Sequence, residues 1–137
     1  MNNFLEIKSL KAWYGASQAL FDVNLDIKEG EIVALLGRNG MGKSTTIKSI
    51  CGLMNKFDGE INFNKISLLG MPSYKIAQLG IGLVPEGRRA FSNLTVLENL
   101  IATSVEGEWT VEKVFELFPK LGERKFQGAY SLSGGEQ

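Results

Sequence analysis

The sequence predicts an α/β fold in which antiparallel strands come first and a helical part comes last. Residues 23–28 alternate apolar and polar side chains, the period of a half-buried strand. The apolar run at 31–36 is typical of a fully buried strand, and a glycine-rich turn joins it to a helical pattern at 43–51. Helical spacing then dominates residues 95–118. The predicted order is strands, a strand–loop–helix unit and a helical block.

The composition of the 137-residue chain, 44% hydrophobic and 22% charged, is typical of a globular protein. Fifteen basic and fifteen acidic residues cancel, so the net charge favours neither a nucleic acid nor an anionic membrane as a partner. A single cysteine, Cys51, excludes an internal disulfide and fits a reducing compartment.

The absence of histidine excludes histidine-based catalysis and zinc binding through histidine. No signal peptide is evident, and the longest apolar run, Ile32–Leu36, is far shorter than the roughly 20 residues that cross a bilayer, so we expect membrane association only through a partner.

Turn and cap residues define the elements of the first half. Glu29-Gly30 separates the alternating strand from the buried strand at 31–36. The helix at 43–51 is expected to end at Gly52. Its inward side chains are predicted to be Ile47, Ile50 and Cys51. A hairpin is predicted from Glu60–Phe63 and Ile66–Leu68, with Asn64-Lys65 as its turn.

The second half begins with a helix at Ser73–Leu79 that Gly80 ends, followed by a short strand at Ile81–Val84. Two helices are predicted within 95–118. Thr95 and Glu98 have the spacing of a capping box, which satisfies two free amides at a helix start. One face of the second helix carries Val111, Val114, Phe115 and Phe118, and Pro119 is expected to end it. We interpret Phe115, Phe118 and Cys51 as core residues.

The segment Gly37-Arg38-Asn39-Gly40-Met41-Gly42-Lys43-Ser44 matches the phosphate-binding pattern G-x-x-x-x-G-K-[ST], with a buried strand predicted before it and a helix after it. Glycines at positions 37, 40 and 42 allow the backbone to curl, so that several N–H groups, including that of Asn39, converge on phosphate oxygens. The helix that begins near Lys43 adds the positive end of its dipole. The alternative to a phosphate-binding loop is a glycine-rich turn that joins strand and helix and binds no ligand.

The residues that follow the glycines supply the remaining chemistry. Lys43 provides a cation for the β- and γ-phosphates of a nucleoside triphosphate. The hydroxyl of Ser44 is placed to ligate Mg²⁺, and Thr45 offers a further donor. The sequence therefore predicts that ATP with Mg²⁺ binds at residues 37–45.

The C-terminal segment Leu132-Ser133-Gly134-Gly135-Glu136-Gln137 resembles the signature motif of ATP-binding-cassette (ABC) ATPases. A hydroxyl followed by glycine amides at a helix start is itself an anion-binding arrangement. In the family that it resembles, Ser133, Gly134 and Gly135 match residues that reach the γ-phosphate held by the second subunit of a head-to-tail dimer. The resemblance covers essentially the whole chain and implies a P-loop ATPase core, with an N-terminal antiparallel β subdomain and nucleotide-binding core at 1–87 and a helical subdomain at 88–137.

The aromatic pair Trp13-Tyr14 is a second point of resemblance. Tyr14 matches the family's aromatic residue that stacks on adenine. Trp13 is the competing candidate and is expected to pack in the core. An aromatic residue near the end of a strand is often simply part of the core.

Three stretches, Leu83–Phe91, Leu94–Leu100 and Leu117–Arg124, resemble the ATP-binding subunit of branched-chain amino-acid importers. Related importers of amides or urea share much of the same sequence pattern. The resemblance implies an ATP hydrolase at the cytoplasmic face of the cell membrane, bound peripherally through transmembrane permease subunits. Its further partners would be a second ATPase subunit and, indirectly, a periplasmic or extracellular solute-binding protein, with no nucleic acid.

Glu86 departs from most cassette ATPases, which carry glutamine at this position of the loop between core and helical subdomain. A carboxylate is a good oxygen ligand for Mg²⁺, although it adds negative charge near the γ-phosphate. We interpret Glu86, with Lys43, as a catalytic candidate and, with Ser44, as a metal-ligand candidate. The alternative is a surface ion pair between Glu86 and Arg88 or Arg89.

The family's later strand, which ends in Asp-Glu, and its switch histidine have no counterpart before Gln137. We therefore expect a fragment that binds ATP but turns it over poorly, with an unpaired apolar sheet edge and marginal stability. Three rival functions stay open at this point: a soluble cassette ATPase in DNA repair or translation, a small phosphate-loop kinase, and a non-catalytic binding module.

Overall fold

The computed structural model describes residues 3–137, which form two compact units that divide between Leu83 and Val84. The strands are β1 (Asn3–Tyr14), β2 (Ser17–Lys28), β3 (Phe57–Phe63) and β4 (Ile66–Ser67). The helices are α1 (Lys43–Ile50), α2 (Ser73–Gln78), α3 (Val96–Ala102), α4 (Val111–Leu117) and α5 (Pro119–Glu123), followed by a 3₁₀ turn at Ala129–Ser131. Across residues 3–137, no helix has both the length and the apolar character that spanning a bilayer requires.

The first unit is organised by a four-stranded antiparallel sheet with the strand order β2-β1-β3-β4. In the centre of β1, Ile7 lies opposite Leu25 of β2 on one side and Ile61 of β3 on the other. The buried core that this sheet forms with α1 and α2 includes Leu5, Ile7, Leu10, Ala12, Leu20, Ile50, Ile61 and Ile76. The N-terminal antiparallel part and the alternation at 23–28 are confirmed, since half-buried and exposed side chains alternate there.

The turns of the first unit follow the sequence signals closely. Asn64 and Lys65 both have positive φ angles, 45° and 67°, and connect β3 to β4 as the predicted hairpin. Gly52 follows α1 with φ 67°, and an added Cβ there would lie 2.8 Å from Ile76 Cδ1. Gly80, with φ 98°, follows α2 as predicted. These predictions are confirmed because each position needs a backbone conformation that L side chains rarely adopt.

The inward face of α1 differs from the predicted one. Ile50 is buried, but Ile47 is 38% exposed, and the remaining buried positions are Thr45, Thr46 and Ser49. The Thr46 hydroxyl donates to Gly42 O at 3.0 Å and the Ser49 hydroxyl to Thr45 O at 2.9 Å. Because these hydroxyls are satisfied within the helix, burying them leaves no polar group without a partner. A polar stripe therefore faces the sheet where an apolar one was expected.

Two predicted strands are not formed. Residues 31–36 and 81–84 have no strand assignment, and three of their apolar side chains are almost fully exposed: Ile32 (98%), Leu36 (90%) and Val84 (96%). A strand of a parallel sheet requires neighbouring strands that accept and donate its backbone hydrogen bonds. Within residues 3–137, neither segment has such a neighbour. Their apolar composition is that of buried strands, but no ladder partner for them lies in this part of the chain.

The second unit consists of short helices joined by hydrogen-bonded turns. Its buried residues include Val96 and Ala129, and their amides donate to Gln127 O (3.0 Å) and Leu94 O (2.9 Å). The helix α4 ends at Leu117, and Pro119 opens α5, a position where its missing N–H costs nothing. Phe118 is 53% exposed, so its interpretation as a core residue was wrong, whereas Phe115 is half-buried against Gly122.

The capping box at α3 is confirmed and makes the start of this helix dependent on pH. The Thr95 backbone N–H donates to Glu98 Oε2 at 2.8 Å, and the Glu98 N–H donates to Thr95 Oγ1 at 3.2 Å. The Thr95 N–H holds the pKa of the Glu98 carboxyl below its ordinary value of 4.5. A depressed pKa means that the cap stabilises the fold above the unfolded-state pKa and is lost as the pH falls through the folded-state pKa.

We therefore predict that the Thr95 amide proton shift titrates with a midpoint below pH 4.5 in NMR spectra recorded from neutral to strongly acidic pH. Replacing Glu98 by Gln keeps an oxygen acceptor but removes the charge, so the same resonance should then stay flat. A wild-type midpoint at or above 4.5 would contradict the hydrogen-bonded carboxylate.

Candidate phosphate-binding site

The loop before α1 is shaped by glycines that lie against strand β2. Gly40 and Gly42 have φ angles of 81° and 87°, and Gly42 occupies the N-cap position of α1. A Cβ on Gly42 would lie 2.5 Å from Leu20 Cδ2 and 3.2 Å from Ala19 O. Any other residue at position 42 would need a strained backbone angle and a displacement of the buried Leu20 side chain. Glycine at this position is therefore required by both the backbone angle and the space.

The Lys43 side chain folds back along the loop. Its ammonium group donates to Gly37 O at 2.6 Å and to Arg38 O at 2.8 Å, while Met41 N–H donates to Arg38 O at 3.3 Å. Two carbonyl groups at the start of the loop thus hold the cation. The consequence is a positive charge fixed beside residues 37 and 38.

The first turn of α1 leaves backbone donors free. Gly42 has no side chain that could cap the helix, and within residues 3–137 the N–H groups of Lys43, Ser44 and Thr45 donate to no acceptor of the protein. The first intrahelical bond runs from Thr46 N–H to Gly42 O, at 2.8 Å. Free amides at a helix start, the positive end of the helix dipole and a held lysine together form an anion-binding arrangement.

The two hydroxyl residues of this turn have different surroundings. Ser44 is exposed, and its hydroxyl has no hydrogen-bond partner among the described residues. Thr45 is buried, and its Oγ1 lies 3.4 Å from the phenol oxygen of Tyr14. Only the Ser44 hydroxyl is thus available to a ligand in solution, and Thr45 instead fixes a neighbouring aromatic ring.

Tyr14 ends strand β1 beside α1 with half of its side chain exposed. The hydrogen bond with Thr45 lowers the pKa of the Tyr14 phenol below its usual 10.0, and the charge of Lys48, whose ammonium lies 5.8 Å from the ring centroid, adds to this. Trp13 is half-buried, and its ring lies 5.3 Å from the ammonium of Lys56. Neighbouring residues of a strand point to opposite faces, so Tyr14 is the aromatic residue placed beside the loop helix.

The segment Ser133–Gln137 in the second unit forms a helical turn. The N–H groups of Glu136 and Gln137 donate to Ser133 O, at 3.0 and 3.2 Å. Ser133 and Gly135 are accessible to solvent, whereas Gly134 lies beneath the guanidinium group of Arg88, which an added Cβ would meet. A side chain at position 134 would therefore displace the exposed Arg88 guanidinium group.

Glu86 lies exposed in a turn with Gly87, whose φ angle is 85°. Among residues 3–137 the ion pairs are Lys8–Glu6 and Arg124–Glu136, so the alternative of an ion pair between Glu86 and Arg88 or Arg89 is wrong. The Glu86 carboxylate is therefore open to solvent.

The structure brings part of the predicted set together around the start of α1: Tyr14, Gly37, Asn39, Gly40, Gly42, Lys43, Ser44 and Thr45 lie in the first unit, whereas Glu86, Ser133, Gly134 and Gly135 lie in the second. Sequence reasoning missed the position of Lys48 near Tyr14 and the contacts of Arg124 and Glu136. A signal for Glu136 was present, since Ser133 and Glu136 have the S-x-x-E spacing of a capping box.

Comparison with known proteins identifies the family. The model of the family described as ABC transporter matches residues 20–137, and the chain therefore belongs to the ABC transporter family. It is 44% identical to the high-affinity branched-chain amino acid transport ATP-binding protein BraG of Pseudomonas aeruginosa, covering 97% of this chain and 59% of that protein. It is 38% identical to the probable branched-chain amino acid transport ATP-binding protein LivF of Archaeoglobus fulgidus, covering 97% and 58%.

A solved structure described as the ATP binding subunit of an ABC transporter has the same fold. It superimposes with a TM-score of 0.80 at 33% sequence identity and covers 96% of this chain and 57% of that one. The chain thus spans somewhat less than three fifths of the length of the relatives that it matches.

The two hydrogen bonds of the Lys43 ammonium generate a prediction about the loop itself. Replacing Lys43 by Met removes both bonds, so ¹⁵N relaxation should show the order parameters of Gly40 and Gly42 falling from about 0.85 to below about 0.6. Lys48→Met is the matched control, because its ammonium lies on the same helix and does not contact the loop carbonyls. Equal order parameters in all three proteins would contradict the role given to Lys43.

Proposed function

We propose that this chain is the ATP-binding part of an ABC importer subunit that couples ATP binding and hydrolysis to the uptake of branched-chain amino acids. The observation that carries this proposal is the 44% identity with BraG, which extends over 97% of the chain. The similarity to LivF supports the same solute class. The geometry of the first unit supports the nucleotide-binding step.

The phosphates of ATP bind at the loop before α1. The free amides of Lys43, Ser44 and Thr45, together with those of Gly37, Asn39, Gly40 and Gly42, donate to phosphate oxygens. The Lys43 ammonium donates to Gly37 O and Arg38 O in the structure. When ATP binds, it gives up part of these hydrogen bonds and donates to the β- and γ-phosphates instead. Anionic oxygens are stronger acceptors than peptide carbonyls, so the exchange is favourable.

The adenine ring stacks on Tyr14. The exposed half of this side chain and its fixed position beside Thr45 provide a flat surface next to the phosphate loop. Stacking of this kind contributes about 0.5–1.5 kcal/mol beyond the buried area. The role of Tyr14 is thus to favour a base, whereas the loop binds any polyphosphate.

Mg²⁺ accompanies the nucleotide, and the residues present fit this ion. Mg²⁺ is commonly held by substrate phosphates and waters with only one or two protein ligands, and the described residues contain no cluster of three acidic, cysteine or histidine side chains that would bind it alone. In the first unit, the free Ser44 hydroxyl is the group that would hold it. The ion would neutralise charge on the β- and γ-phosphates.

The turn at Ser133–Gly135 is the second half of the ATP site and acts on the nucleotide of a second ATPase subunit. Its accessible hydroxyl and the amides of Gly134 and Gly135, which donate to no acceptor among residues 3–137, are available to a ligand from outside the turn. Two subunits in a head-to-tail arrangement would therefore each complete the site of the other.

In the cell the ATPase lies at the cytoplasmic face of the membrane, bound to transmembrane permease subunits and coupled through them to a solute-binding protein. Turnover of ATP belongs to the whole subunit, with Lys43 as the residue of the first unit that contacts the reacting phosphate. The relatives named as branched-chain amino acid transport ATP-binding proteins support a role in transport.

Nucleotide binding is tested by calorimetry with Mg-ATP and with Mg-tripolyphosphate. Lys43→Ala should weaken both by more than about tenfold, because a charged hydrogen bond is worth about 1.5–3 kcal/mol. Tyr14→Ala should weaken ATP about three- to tenfold and leave tripolyphosphate unchanged, since only the base stacks on it. Trp13→Ala, the neighbouring aromatic with its ring near Lys56, is the matched control and should change neither. Equal losses from Tyr14→Ala for both ligands would contradict the adenine contact.

The transport assignment is tested by uptake of radiolabelled solutes in the source organism. Deleting the gene should abolish high-affinity uptake of leucine, isoleucine and valine, and the wild-type gene, but not one with Lys43→Ala, should restore it. Loss of amide or urea uptake with normal leucine uptake would contradict the branched-chain assignment.

A further inference from the structure

Glu136 directly follows the turn at Ser133–Gly135 (the signature turn), and its carboxylate accepts two hydrogen bonds. Glu136 Oε2 accepts from Ser133 N–H at 2.9 Å and from Arg124 Nη1 at 3.3 Å. Only 16% of the Glu136 side chain is exposed, against 42% for Arg124. Arg124 directly follows α5, so this ion pair fastens the turn to the end of that helix.

The same contact decides which donors of the turn remain free. The Ser133 N–H is occupied by Glu136, while Gly134 and Gly135 keep amides that donate to no acceptor in the described part of the chain. The Gln137 side chain donates to Ala129 O at 3.0 Å and fastens the turn from its other end. The Ser133 hydroxyl and two glycine amides are thus presented together on a backbone that the Glu136 and Gln137 side chains hold in place.

The negative charge of Glu136 must be compensated if the turn is to bind a phosphate. A carboxylate one residue from Gly135 repels an incoming phosphate unless a cation compensates it. The Ser133 N–H lowers the pKa of Glu136, with smaller contributions from the charges of Arg124 and Lys120, so this group is ionised at neutral pH. Of the two cations, Arg124 makes the direct contact, and Lys120 acts from a greater distance.

We propose that Arg124 and Glu136 are positioning residues of the signature turn: Glu136 orients Ser133 and the glycine amides, and Arg124 neutralises Glu136 so that a phosphate can approach. This inference rests on the proposed function of the turn as the half-site that binds the nucleotide of a second copy. It adds a requirement of charge compensation to the simpler role of a helix cap.

The experiment measures self-association of the chain by sedimentation equilibrium with and without Mg-ATP, beside the affinity of each variant for Mg-ATP. Arg124→Ala leaves the Glu136 carboxylate uncompensated and should weaken ATP-dependent association at least about tenfold, the effect of losing a charged contact. Its affinity for ATP at the phosphate loop should match the wild type, which also shows that the first unit is folded. Glu123→Ala, an acid in α5 outside the ion pairs, is the matched control.

The double variant Arg124→Ala/Glu136→Gln separates charge compensation from a structural cap. The side-chain amide oxygen introduced at position 136 still accepts from Ser133 N–H but carries no charge, so association should return to within about threefold of the wild type. If the ion pair acts only as a structural tether between the turn and the end of α5, no recovery is expected, because both variants lack the ion pair. No recovery, or wild-type association of Arg124→Ala, would overturn the inference and leave the proposed function standing. Absence of ATP-dependent association in the wild-type chain would overturn the head-to-tail part of the proposed function and this inference with it.

Discussion

The fit of Gly42 against strand β2 is the contact on which the rest of the site depends. With a φ angle of 87° and Leu20 Cδ2 where its Cβ would be, Gly42 lets the start of α1 approach the sheet more closely than any other residue would. Thr46 and Ser49 then bury their satisfied hydroxyls in the same interface. The sheet thus fixes the helix start, and the helix start fixes the free amides and the Lys43 side chain.

The first backbone amides of three helical turns differ in whether they have a hydrogen-bond acceptor. At α3 the side chains of Thr95 and Glu98 satisfy the amides in a closed capping box. At α1 the N-cap is a glycine and the amides stay open. The turn at Ser133 is intermediate, because Glu136 occupies the serine amide while both glycine amides remain free. Since unpaired backbone donors are costly unless water or a ligand satisfies them, the open turns are the ones suited to binding an anion.

Local signals in the sequence predicted the local features of the fold. The Asn64-Lys65 turn, the helix ends at Gly52 and Gly80 and the cap at Thr95 are confirmed because short-range backbone geometry determines them. The segments 31–36 and 81–84 were wrongly predicted as strands, because strand formation depends on ladder partners and not on apolar composition alone.

In the candidate site, too, local features could be predicted and long-range contacts could not. The loop residues could be identified from their spacing, whereas the burial of Thr45 beside Tyr14 depends on how α1 packs on the sheet. The pairing of Arg124 with Glu136 joins residues twelve positions apart, and only the path of the chain through the 3₁₀ turn brings them together.

The central claim is that the open amides at the start of α1 bind phosphate, and an NMR titration with inorganic pyrophosphate measures it most directly. We predict large, saturable shifts of the Lys43, Ser44 and Thr45 amide resonances, with the closed amides of Thr95 and Glu98 unchanged. Shifts distributed over exposed lysines, with the α1 amides unmoved, would contradict it.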